Sequence, residues 1–147
     1  MEIAKNLIRD IAQYIDCGHD CYYNLKTKEL FWIPNIDLLA SGDEDYHREI
    51  FKEDLDKVKS QKKDLIKFEV LESYQSFKIM EHFKNRIDDD RFRYSLQQAL
   101  NKRKPFRNFK YLIDHSKYRE DWFEFKQKEL EKIVIRTIEH HDSGSES

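Results

Sequence analysis

The sequence predicts an α+β fold: a mainly helical single domain with a small antiparallel sheet, built from an N-terminal hairpin and one further strand. Three observations carry this. Apolar residues recur every three or four positions over most of the chain, as in helices with one buried face. Early stretches such as CYYNL and LFWI are rich in strand formers, and LIKFEVL sets Ile66, Phe68 and Val70 against Leu65, Lys67 and Glu69 with a period of two. The 147 residues hold only three glycines and two prolines, too few for the closely spaced turns of an all-β sandwich.

Each element follows in order. Ile3, Leu7, Ile8, Ile11 and Ile15 predict a helix over 2–15, with Gly18 placed to end it in a left-handed conformation. A hairpin follows at about 20–25 and 29–33, closed by Pro34; its turn lacks Asn-Gly or Asp-Gly, so a loop longer than two residues is expected. SGDED predicts a loop and then a helix start, its acids suited to the positive end of the dipole. Tyr46, Ile50, Phe51, Leu55 and Val58 give that helix, 45–62, one apolar face, and 65–71 supplies the third strand. Phe77, Met80, Phe83 and Ile87 form the face of a helix capped by Ser73 or Ser76. Asp88, Asp89 or Asp90 caps the next, with core residues Phe92, Leu96, Ala99 and Leu100. Pro105 fits the first turn of a helix carrying Phe106, Phe109, Leu112 and Ile113. The last helix, near 119–141, offers Trp122, Phe123, Leu130, Ile133, Val134 and Ile138 to the core. The single domain is expected to span 1–141, with 142–147 a disordered polar tail.

Composition bounds the function. Aromatic residues make up 14% of the chain, so they should dominate packing, and the net charge of −2 leaves room for a polyanion site only as a local patch. No apolar run is long enough to cross a membrane, and the charged N-terminus is unlike a signal peptide. With two cysteines, a cytoplasmic, reducing setting is expected, without a membrane partner.

The runs FKIMEHF, LQQAL, PFRNFK and DWFEF resemble the bacterial uncharacterised protein family 0158. In that family a strand leads into a helix with a Phe/Tyr-x-x-Met-Glu-x-Phe run, followed by a short basic turn, Phe-Arg-x-Phe-Lys, and a Trp-Tyr/Phe-x-Phe run on the final helix. The hairpin CYYNLKTKELFWI is similar as well. Members commonly carry glycine in the turn before Phe-Arg-x-Phe-Lys, whereas here it reads NKRKP; many have a second tryptophan late in the final helix, where this chain reads IVIRTIEHH. The resemblance implies no activity, substrate or catalytic residue.

Chemistry-bearing patterns are few. Cys17, His19 and Cys21 have metal-like spacing, but a full ligand set would need His140 and His141 to fold back, so no metal and no cofactor is assigned. There is no Gly-x-Ser-x-Gly elbow or phosphate-cradling glycine loop. The acids of DEDYHREIFKEDLD alternate with cations as on a solvated helix face. Glu81 is placed for a structural ion pair with Arg107 or Lys110. Trp122, Phe123 and Phe125 cannot all face one side of a helix, so one is left for a neighbour or a partner, and Trp122 is a candidate for that contact.

The sharpest signal is Lys102, Arg103, Lys104, Arg107 and Lys110, five cations without an acid between them. Segment 84–119 holds eleven Lys and Arg against four acids, and 37–56 holds eight acids against two. The reading is a non-enzymatic protein-binding or regulatory module that uses these cations and Trp122, with self-association open. The alternative is nucleic-acid binding through 102–110, and the third is a hydrolase or transferase built on carboxylates near Glu81 with Arg107.

Overall fold

The structure, a computed structural model, describes residues 3–35 and 44–145. Its elements run α1 (Lys5–Asp16), β1 (His19–Asn24), β2 (Leu30–Pro34), α2 (Glu44–Ile50), α3 (Lys52–Gln61), a 3₁₀ turn (Lys62–Asp64), β3 (Leu65–Phe68), α4 (Ser73–Asn85), α5 (Asp90–Asn101), α6 (Pro105–Asp114) and α7 (Arg119–Ser145). The class is the expected one, mainly helical α+β with one small sheet. The strands are antiparallel in the order β2-β1-β3, so the central strand is β1. The predicted loop at 41–43 and the end of the tail at 146–147 lie outside the described residues. The last helix runs to Ser145, past the boundary expected at 141.

Contacts gather the chain into two compact units. One comprises 1–70 with 130–147, the other 71–129.

In the first unit, α1 buries Ile11, Ala12 and Ile15, and Gly18 takes the left-handed conformation (φ 88°) that ends the helix. Strand β1 is buried from Cys21 to Asn24, as a central strand with both faces covered should be. Tyr22, Phe31 and Ile33 form one cluster, against which Phe51, Leu55, Val58 and Leu65 pack. The single helix expected over 45–62 is broken. Phe51 leaves helical geometry (φ −99°, ψ 18°) to join this cluster, and Tyr46 and Ile50, expected in the core, are exposed. The third strand is shorter than expected, ending at Phe68.

Two polar side chains tie the sheet together. Asp20 accepts from the Val70 N–H and from Asn35 Nδ2, both at 3.0 Å, linking β1 to the segments after β3 and β2. Asn24 is 2% exposed. Its Oδ1 accepts from the N–H groups of Lys26 (2.8 Å) and Thr27 (2.9 Å), and its Nδ2 donates to Gln61 Oε1 at 2.8 Å. One buried amide thus shapes the hairpin loop and anchors it to the end of α3.

In the second unit, α4 is capped by Glu72 and Gln75 in a reciprocal box, not by Ser73 or Ser76. Its buried stripe is Ile79 and Phe83, with Phe77 and Met80 only half-buried. Asp89 caps α5, accepting from the Phe92 N–H at 3.1 Å. The centre is aromatic. Trp122 meets Phe83 and Phe109 edge-on at 5.3 and 5.0 Å, and Phe125 lies 5.4 Å from Phe83.

Asn24→Ala should destabilise the fold by about 1–3 kcal/mol, because it removes the acceptor of two hairpin-loop N–H groups and the donor to Gln61. Gln61→Ala, which leaves both Oδ1 bonds in place, should cost less. Urea denaturation checks both, and equal losses would refute the role given to Oδ1.

Candidate functional site

The five cations sit where two helices meet almost without a connection. Helix α5 ends at Asn101, α6 begins at Pro105, and Lys102, Arg103 and Lys104 make the corner. Pro105 denies right-handed helical geometry to the residue before it, which forbids one continuous helix. Lys104 adopts the left-handed conformation instead, φ 57° and ψ 56°. For a residue with a Cβ this costs about 1–2 kcal/mol. Asn108 braces the corner, its Nδ2 donating to the Arg103 carbonyl at 2.9 Å while its N–H donates to the Lys104 carbonyl at 3.1 Å.

The core stripes orient the rest. Leu96, Ala99 and Leu100 turn α5 inward, and Phe109 and Ile113 do the same for α6. Tyr94, Gln98 and Lys102 then follow one another at i, i+4, i+8 along α5, and Arg107 and Tyr111 at i, i+4 along α6. Together they line a groove of about 590 Å³. Lys102, Arg103, Lys104 and Arg107 supply its charge; Tyr94, Tyr111 and Leu112 its apolar surface; Ser95, Gln98 and Asn108 its neutral polar groups. Among the described residues no aspartate or glutamate lines it. Tyr94 also borders a neighbouring cleft of about 340 Å³ with Lys84, Arg93 and Gln97. There Arg93 pairs with Asp90, and Lys84 donates to Gln97, which in turn donates to Asn101 at 3.0 Å.

Electrostatics leave this corner uncompensated. Cations at 102–104 suit the C-terminus of α5, as the sequence suggests, but they equally crowd the positive N-terminus of α6. Helix α6 has no acid in its first turn and no side-chain cap. Among the described residues none of Lys102, Arg103, Lys104, Arg107 and Lys110 forms an ion pair.

Several expectations are corrected. Lys110 is exposed but does not line the groove. Trp122 is only 6% exposed and belongs to the aromatic core, so it offers no contact surface; the aromatic left over from DWFEF is the half-buried Phe123, with Arg119 4.7 Å above its ring. Phe106, expected in the core, is 36% exposed. Glu81 makes no ion pair with Arg107 or Lys110 and lines none of the clefts around α4, α5 and α7. Missed by sequence reasoning were Tyr94 (66% exposed) and Tyr111 (62% exposed). Their signal was there: both fall off the core stripe of their helix and on the face that carries Lys102 and Arg107.

The cysteines are not gathered into a site. Cys17 is exposed at the end of α1, and Cys21 is fully buried. Burial, with help from Asp20, pushes the Cys21 thiol up to about 12. Among the described residues no group of three or more His, Cys, Asp and Glu is arranged to hold a metal ion, and no helix is long and apolar enough to cross a membrane.

These features define a small α+β protein with a basic groove at a helix–helix corner. The model of the Uncharacterised protein family (UPF0158) matches residues 3–144, and the chain belongs to that family. A UPF0158 protein of Pseudomonas aeruginosa is 27% identical over 79 residues, covering 53% of this chain and 52% of its own. The matched stretch thus spans about half the length of that curated relative. No solved structure matches.

A thiol reagent at pH 8 should label Cys17 alone in the folded protein and both cysteines in denaturant. Between the ordinary thiol value and about 12 the folded state holds a proton on Cys21 that the unfolded chain releases. Stability should therefore fall as pH rises above 9, by about 1.4 kcal/mol per pH unit from this group. Urea midpoints across that range test it, and Cys21→Ala should flatten the slope by that amount.

Proposed function

We propose that this protein is a non-enzymatic binding module whose ligand is a polyanion seated in the α5–α6 groove. One observation carries the reading: among the described residues, four cations line the groove, no acid does, and none of the four has an ionic partner. The helix termini support it. An anion at this corner would meet the positive end of α6 and relieve the repulsion among its neighbours. The backbone supports it too. A lysine occupies a position where glycine would be free of strain, and strain of this kind clusters at functional sites. The net charge of −2 makes the attraction local to the groove.

Inorganic polyphosphate, a polyanion without bases, is the probe. Its binding, followed by calorimetry, should weaken by about 50- to 150-fold between 50 and 200 mM salt if the four groove cations take part. Charge reversal at Lys102 and Arg107 should abolish it. Binding indifferent to salt, or absent at low salt, would sink the reading. Lys104→Gly separates strain from function. It should raise stability by about 1 kcal/mol while lowering the salt slope by about one, whereas Lys28→Gly, at the other left-handed lysine, should stabilise and leave binding unchanged.

A further inference from the structure

Resting on the polyanion groove proposed above, we infer that its occupant is a single-stranded nucleic acid, with bases stacked on Tyr94 and Tyr111 and phosphates held at the α5–α6 corner. A bare polyanion gives no use to the two tyrosines. Each is more than half exposed, one on either wall of a groove already lined by four cations. Among the described residues neither ring meets the aromatic cluster of Phe83, Phe109, Trp122 and Phe125; the Tyr111 ring lies 4.4 Å from that of His115 and the residue is still 62% exposed.

Alternating cations and exposed rings are what an unpaired strand requires. Its phosphates need charge, and its bases need planar apolar surfaces to replace the stacking they have lost. A duplex keeps its base faces buried and has no use for the rings. An acidic peptide could take the charge but would leave two tyrosines wet. Polar groups for base edges are at hand as well: the side chains of Ser95 and Gln98 line the groove and make no protein hydrogen bond among the described residues. The neighbouring cleft shares Tyr94, but its Arg93 is paired with Asp90 and its Lys84 is buried against Gln97, so the phosphates are assigned to the corner alone.

Fluorescence anisotropy with a labelled oligouridylate tests this against an abasic oligomer of equal length, a duplex of equal length, polyphosphate and polyglutamate. The oligouridylate should bind at least fivefold tighter than the abasic oligomer and the duplex. Tyr94→Leu with Tyr111→Leu should erase that advantage, a loss of at least fivefold, and leave abasic binding unchanged. Tyr94→Phe with Tyr111→Phe, which keeps both rings, should retain it, and thermal melting confirms that each variant is folded. Equal binding of abasic and base-bearing strands, or of duplex and single strand, overturns the assignment and leaves the polyanion reading standing. So does an unaffected leucine variant. Tighter binding of polyglutamate overturns it in favour of an acidic protein partner. Failure of every probe at low salt overturns both readings.

Discussion

The groove depends on a single backbone constraint, the left-handed turn at Lys104. Helix α5 must stop and α6 must start within three residues. Pro105 enforces the break and fixes the first turn of α6. Lys104 supplies the change of direction, and Asn108 holds the Arg103 and Lys104 carbonyls in place from inside α6. A longer, looser connection would scatter Lys102, Arg103 and Lys104 over a mobile loop. The tight corner instead fixes their backbone positions beside Arg107, so a ligand would meet charges whose main-chain ordering folding has already accomplished.

Charge at a helix junction has two meanings, and the structure separates them. The sequence accounts for Lys102 to Lys104 by the favourable C-terminus of α5. That account is correct for one helix and incomplete for two, because the same residues stand at the N-terminus of the next. Arg107, one turn into α6, adds to the unfavourable side. Two acids of the same segment are committed elsewhere: Asp90 pairs with Arg93, and Asp114 lies 3.6 Å from Arg119. Net repulsion at the corner is the residue of this pairing.

Much of the fold was legible because burial leaves periodic traces. The stripes Ile11–Ile15, Leu96–Leu100 and Leu130–Val134–Ile138 are buried as their spacing says. So are Tyr22 and Tyr23 of β1 and Phe31 and Ile33 of β2, with Trp32 between the last two facing out. What was not legible depends on tertiary competition. Phe51 interrupts a helix that the 45–62 pattern makes continuous: its torsions leave the helical range and its ring packs on the Tyr22–Phe31–Ile33 cluster, while its N–H still donates to the His47 carbonyl and its own carbonyl accepts from the Leu55 N–H. Phe106 and Phe109 are equally apolar and three residues apart, yet only Phe109 reaches Trp122. The site was half legible. The cations were plain as a run, but a run says nothing of which side chains share a surface, so Lys110 was included and the tyrosines were not.

The same limit explains the different fates of the aromatics, and it bears on what the groove is for. Trp32, Tyr46 and Tyr74 are exposed as well yet lie outside the groove, so aromaticity alone does not mark function. Position against the local stripe does. Trp122 lies on the stripe of α7 and is consumed by packing. Tyr94 and Tyr111 lie off the stripes of α5 and α6, where a helix would ordinarily carry lysine or glutamate. Here the two rings stand more than half exposed beside four cations that have no ionic partner among the described residues, although the Tyr111 ring also lies 4.4 Å from that of His115. Packing against the core therefore accounts for Trp122 and not for the placement of these two rings.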